Sequence, residues 1–328
     1  MKYISCKSIQ NEIHFFYDQI RICCSMYTGH VFLDNYQGEK IDWARIKKER
    51  KEMVENCKHG NIPDNCRPCY DLEEKDWEDN EKIKRISINH WSHCNCGCKY
   101  CVNLYLTKGR ITKWQKRSEH YKLLPIIKEL IKNDMIGNDI EVITMGGDCG
   151  VLDEYESVMN LLYKFRIKEN SFMTSGIKYV KAIERSLKEC ESTNITISLD
   201  CGCRETYKKI KRVDKFNEVV KNIKKYIKYS RSNGNELISK YIIVDNLNDN
   251  INELEKWLLL SKTIGILNVK LDIDYSKMLR TDYNKQIVPQ NIKEMYKYFK
   301  HRATELKLNI LSSKFVESIL SNNSDTYQ

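Results

Sequence analysis

Proline and glycine are scarce in this chain of 328 residues, at 4 and 13, which excludes collagen-like and linker-rich organisation. No low-complexity stretch and no repeat of fixed period occurs, so solenoids and arrays are excluded as well. No run of the roughly 18 apolar residues needed for a membrane span is present. The opening residues, MKYISCKSIQNEIHFF, lack the continuous apolar segment of a secretory signal. The expectation is a cytoplasmic protein with no membrane partner.

What is abundant is cysteine, with 14 residues, and lysine with arginine, with 55. A reducing compartment disfavours a disulfide framework and points the cysteines toward metal or redox chemistry. The net charge of +10 reads as a lysine-rich solvated surface, as at Lys208, Lys209, Lys211, Lys224, Lys225 and Lys228. Charge alone leaves nucleic acid open as a partner, but no nucleic-acid motif supports it.

Cysteine usage divides the chain. Cys6, Cys23, Cys24, Cys57, Cys66 and Cys69 precede residue 81, and the expected domains are a small cysteine-rich N-terminal module, 1–81, and a larger α/β domain, 82–328. Apolar β-rich runs recur at Arg85–Ile88, Ile140–Met145, Ser171–Thr174, Ile195–Leu199, Tyr241–Val244 and Val269–Ile273. Helical stripes lie between them, including Leu123–Ile131, Phe216–Ile227 and Ile251–Leu258. Such alternation implies parallel strands with right-handed crossovers, either doubly wound or in a partial (β/α)6 barrel. Chemistry then belongs at the C-terminal strand ends.

The first of these runs leads into Cys94-Asn95-Cys96-Gly97-Cys98-Lys99-Tyr100-Cys101. Three thiolates on so short a loop can converge on one centre at small entropic cost, and thiolates are the usual ligands of iron–sulfur clusters. Three ligands on a four-iron cluster leave one iron open. The competing reading is a closed zinc site on Cys94, Cys96, Cys98 and Cys101. Farther on, Met145-Gly146-Gly147-Asp148 ends the second strand, and glycines there allow close backbone approach. Ile197-Ser198-Leu199-Asp200-Cys201-Gly202-Cys203 ends the fourth.

The cysteine spacing Cys94-x3-Cys98-x2-Cys101, with aromatic Tyr100 before the last cysteine, resembles the signature of the radical S-adenosylmethionine (SAM) superfamily. The resemblance implies a partial barrel with a [4Fe–4S] cluster on Cys94, Cys98 and Cys101. Its open iron would bind SAM, which reduction splits to methionine and a 5′-deoxyadenosyl radical. It implies SAM contacts at Tyr100, Gly146, Gly147, Asp148, Ser198 and Asp200. Two departures stand out: Asp148 replaces the family's usual glutamate, and Cys149 stands where proline is common. Cys201 and Cys203 replace serine and threonine, and are candidate hydrogen-atom donors for an epimerase or another redox-neutral reaction. Cys24, Cys57, Cys66 and Cys69 could hold zinc or an auxiliary iron–sulfur cluster, with Cys23 able to replace Cys24. That module loosely resembles SPASM or twitch modules, which follow the barrel rather than precede it. A reductant such as flavodoxin or ferredoxin is the implied partner. A peptide, a sugar derivative and a nucleotide remain open as substrates. The rival readings are an activase that forms a radical on a partner protein, and a non-enzymatic zinc-binding module.

Overall fold

Along the strand Ser192–Ser198 and the second half of the strand Ile136–Thr144, buried residues alternate with half-exposed ones. The computed structural model describes residues 2–16, 19–22, 32–35, 41–67, 69, 71–78, 81–101, 121–230, 234–274, 289–312 and 316–317. The chain divides into two bodies. The first comprises Met1–His93, Ser118–Phe172 and Glu189–Glu191, and the second Cys94–Arg117, Met173–Lys188 and Ser192–Gln328.

In the first body, β1 (Lys2–Ser5) is followed by α1 (Lys7–Asn11), β2 (Glu12–Phe16), β3 (Gln19–Arg21), β4 (Phe32–Asn35) and α2 (Trp43–Lys58). Then come β5 (Glu73–Asp76), β6 (Ile83–Asn89), α3 (Leu123–Lys132), β7 (Ile136–Thr144), α4 (Tyr155–Leu162) and β8 (Ile167–Thr174). The sheet order is β8-β7-β6-β2-β3-β4. The β2, β6, β7 and β8 neighbours are parallel, and β3 and β4 turn back antiparallel. β1 and β5 form a separate antiparallel ribbon. Part of the expected N-terminal module, β2 to β4, therefore shares a sheet with the expected larger domain, since Glu12 to Phe16 pair in register with Arg85 to Asn89.

The second body carries α5 (Lys181–Glu189), β9 (Ser192–Ser198), α6 (Arg204–Lys211), α7 (Phe216–Ser230) and β10 (Glu236–Ile242). It continues with α8 (Ile251–Ile264), β11 (Asn268–Asp272), α9 (Gln290–Glu305) and β12 (Asn309–Ile310). Its strands lie parallel in the order β9-β10-β11-β12. α8 shows how the sequence sets such an element. Asn250 caps it by accepting the Glu253 amide at 3.0 Å, and Gly265 ends it in the left-handed region at φ 90°. The stripe of Leu254, Trp257, Leu258 and Ser261 is buried between these ends.

All six expected strands are present as β6 to β11, and the expected apolar stripes mark the buried faces of α3, α7 and α8, except that Ile251, the first residue of α8, is exposed. The exposure pattern of two strands bears on what periodicity left open. On β7, Ile140, Val142 and Thr144 are buried while Glu141 and Ile143 are half-exposed. On β9, Thr193, Ile195 and Ile197 are buried while Asn194, Thr196 and Ser198 are half-exposed. A doubly wound parallel sheet buries both faces in apolar residues. On β7 and β9 one face is buried and the other half-exposed, as in a partial barrel, whereas β10 is buried on both faces from Leu237 to Ile242. No helix among the described residues is long and apolar enough to cross a membrane.

Candidate functional site

The cysteine loop follows β6 and belongs to the second body. Two backbone bonds tie it to the end of α6: Gly97 donates its amide to the Lys211 carbonyl at 2.8 Å, and Lys99 to that of Ile210 at 3.0 Å. These are terminal carbonyls that the helix cannot satisfy itself. The Cys101 amide closes the last turn on the Cys98 carbonyl at 3.1 Å.

Exposure separates the four cysteines. Cys94, Cys98 and Cys101 are half-exposed, whereas Cys96 is buried. The Cys96 side chain hydrogen-bonds to those of Cys94 and Cys98, and these bonds, with burial, push its thiol far up. Cys98 moves the other way. The hydrogen bond from Cys96 and the nearby Lys211 charge pull its thiol down to about 6 against the cost of burial. A thiol so shifted is largely thiolate at neutral pH, the form that binds soft metals. Among the described residues, no three His, Cys, Asp or Glu side chains are arranged around a single ion. In the chemistry of their donors, though, the three accessible cysteines fit a thiolate-held cluster, and buried, protonated Cys96 fits a ligand role poorly. One consequence is measurable on the metal-free protein. Alkylation of Cys98 by iodoacetamide, read by peptide mass spectrometry, is expected to reach half-maximum near pH 6, about two and a half units below an ordinary thiol.

Tyr100 packs its ring against Ile210, Ile242 and Val244 and donates its hydroxyl to Asp200 Oδ2 at 2.5 Å. Asp200 is fully buried and sits in the left-handed region at φ 61°. Its other oxygen accepts the Ile242 amide at 2.8 Å. Asn248 reaches the Asp200 carbonyl at 2.8 Å and the Ile242 carbonyl at 2.9 Å. Lys211, expected on the solvated lysine surface, is instead buried and donates to both Tyr100 and Asp200. Its spacing was the available signal: it follows Tyr207 by one helical turn and shares that residue's apolar face. Lys208 and Lys209 are exposed as expected. Ser198 ends β9 on the open polar face, in register with Lys240.

In the first body, Gly146 and Gly147 end β7 against the segment that follows β6. Gly147 donates its amide to the Trp91 carbonyl at 3.0 Å, and Asp148 to that of His93 at 2.8 Å. Gly146 has φ +105°, and a Cβ on Gly147 would lie 2.0 Å from the His93 carbonyl oxygen. The protein's own packing thus requires this glycine pair, beyond any ligand approach. Asp148 is buried, with Oδ1 accepting the Gly150 amide at 2.9 Å. Cys149 is buried and burial pushes its thiol up.

Of the two candidate hydrogen donors, Cys201 is fully buried, faces the Leu199 carbonyl at 3.4 Å, and has its thiol pushed up by burial. Cys203 is half-exposed at the start of α6, 3.3 Å from Thr206 Oγ1. In the N-terminal set, Cys57 is buried at the end of α2 with its thiol raised by burial, and Cys66 is buried in a short helical turn. Half-exposed Cys69 donates its amide to the Cys66 carbonyl at 2.9 Å. Cys23 and Cys24 lie outside the described residues.

Parallel strands alternating with helices, and a three-cysteine loop after β6, define an α/β scaffold. The family model for the Radical SAM superfamily matches residues 88–260, more than half of the chain, and the chain belongs to that superfamily. Membership implies SAM and a [4Fe–4S] cluster. No curated protein matches the sequence. Among solved structures, the fold is similar to Streptococcus suis SuiB bound to S-adenosylmethionine. The TM-score is 0.53 at 12% identity, covering 84% of this chain and 57% of that one. SuiB bound to the precursor peptide SuiA gives a TM-score of 0.53 at 11% identity, covering 100% of this chain and 77% of that one. The chain thus spans between about half and three quarters of SuiB.

Proposed function

We propose that this protein cleaves SAM reductively at a [4Fe–4S] cluster held by Cys94, Cys98 and Cys101 and abstracts a hydrogen atom from a substrate on the open face of its sheet. The observation that carries the reading is the division within the loop: three accessible cysteines, one of them thiolate-prone, around a buried fourth. When bound, the cluster and SAM would supply the electron and the carbon-centred radical. The chain's own residues bind and orient. Gly146 and Gly147 present a strand end without side chains, Asp148 offers a carboxylate for the SAM amino group, and Ser198 offers a hydroxyl. The half-exposed face of β9, with Asn194, Thr196 and Ser198, suits a polar substrate. Likeness to SuiB with its precursor peptide supports a peptide over a sugar derivative or a nucleotide.

The test is anaerobic reconstitution, iron and sulfide analysis, and measurement of 5′-deoxyadenosine with dithionite or flavodoxin as reductant. About four irons per chain with nucleoside release supports the reading; zinc without sulfide overturns it. About eight irons would add an auxiliary cluster on Cys24, Cys57, Cys66 and Cys69. For a redox-neutral reaction, Cys203 is the better-placed hydrogen donor. Cys203→Ala is expected to leave 5′-deoxyadenosine formation within about twofold while stopping solvent deuterium from entering product. Cys201→Ala is expected to act mainly through a lost core contact, at a cost of about 1 kcal/mol. Unchanged labelling in Cys203→Ala would remove the donor role.

A further inference from the structure

The end of α6 holds the cysteine loop twice. Its last two carbonyls take the Gly97 and Lys99 amides, and the side chain of its last residue, Lys211, reaches Tyr100, which lies between Cys98 and Cys101. The Lys211 ammonium donates to the Tyr100 hydroxyl at 2.6 Å and to the Asp200 carboxylate, and stands 5.0 Å from the Tyr100 ring centre. Asp200 is fixed in turn by Tyr100, Ile242 and Asn248.

Two physical features of this arrangement call for a cause. A buried ion pair seldom adds stability over an apolar replacement, because desolvation offsets the attraction. In addition, a helix C-terminus carries partial negative charge, the wrong sign to face a loop of thiolates. Lys211 puts a full positive charge on the same helix end and reverses that sign.

Resting on the function proposed above, we infer that Lys211, held by Asp200 and Tyr100, is a positioning residue that fixes the cysteine loop and raises the reduction potential of the cluster the loop holds. A fixed cation beside the thiolates favours the reduced, more negative state. Removing the cation and removing its counter-ion must then act in opposite directions, which disordered packing would not produce.

The experiment compares wild type, Lys211→Met, Asp200→Asn and the double variant after anaerobic reconstitution. Iron and sulfide per chain are measured first, and then the midpoint potential by electron paramagnetic resonance at stepped poise. Lys211→Met is expected to lower, and Asp200→Asn to raise, the ratio of reduced to oxidised cluster at fixed poise by about tenfold, equal to about 59 mV for a one-electron couple. The double variant is expected to return close to wild type, and Lys211→Arg to preserve the wild-type value.

Shifts of the same sign in both single variants, no shift in either, or a double variant as displaced as the singles would overturn the inference. Should a single variant hold no iron, circular dichroism of its apoprotein decides. Native helical content supports a loop-fixing role, and lost helical content in single and double variants alike overturns it. Failure of wild type itself to take up iron would instead defeat the underlying function.

Discussion

Cys98→Ser is expected to strip the reconstituted protein of essentially all its iron and acid-labile sulfide and to reduce 5′-deoxyadenosine release to background, while Cys96→Ser keeps most of both. The contrast follows from the loop. Cys98 is the thiol that its surroundings drive toward thiolate, through the hydrogen bond from Cys96 and the charge of Lys211. A serine hydroxyl there stays protonated at neutral pH and is a poor ligand for iron. Cys96 is buried and its thiol is pushed far up. Serine at that position keeps a hydrogen-bond donor toward Cys94 and Cys98.

The same pair of variants separates the two metals. A zinc site would need all four sulfurs to close its tetrahedron, so Cys96→Ser would release zinc about as completely as Cys98→Ser does. A three-cysteine cluster distinguishes them. Metal analysis of both variants, with sulfide measured alongside, therefore decides between an iron–sulfur enzyme and a zinc module without any knowledge of substrate.

Much of the scaffold could be read from the sequence because its apolar runs are local. The strands β6 to β9 and β11 follow from runs of isoleucine, valine and leucine at regular spacing. β10 was displaced: the apolar run Tyr241–Val244 marks only its C-terminal end, and the strand starts at Glu236. Its first half contains Ser239 and Lys240, which are buried only because distant partners satisfy them. Trp257 Nε1 donates to Ser239 at 2.7 Å, and Lys240 pairs with Asp272 at 2.9 Å. β2 was hidden in the same way. Its Glu12 is buried because Ser87, far along the chain, donates to it at 2.6 Å. Buried polar groups with long-range partners carry no local signature, and Lys211 is the same case at the site. The cysteine spacing and the two glycines could be read because their chemistry is set by neighbours in sequence.

The second large effect is expected at Gly147. Gly147→Ala should lower stability by about 3 kcal/mol or more, the upper range for overpacking, and so lower the melting temperature by about 6–12 °C. The added Cβ would meet the His93 carbonyl oxygen at 2.0 Å and Trp91 Nε1 at 2.6 Å. Neither can yield cheaply. His93 is met through its backbone, which also accepts the Asp148 amide, and Trp91 is fully buried with its indole N–H aimed at the Asp148 carbonyl at 3.3 Å. Gly60 supplies the control. It has φ +78° with nothing within 4 Å of a Cβ, so Gly60→Ala tests backbone strain alone and is expected to cost only about 1 kcal/mol. Thermal melts of both apoproteins, followed by SAM titration calorimetry of the same proteins after anaerobic cluster reconstitution, separate the two reasons for a glycine here. A large melting shift in Gly147→Ala places the requirement in the packing of β7 against Trp91 and His93. An unchanged melt with lost SAM binding would place it in approach to the ligand, and the packing account would then be wrong.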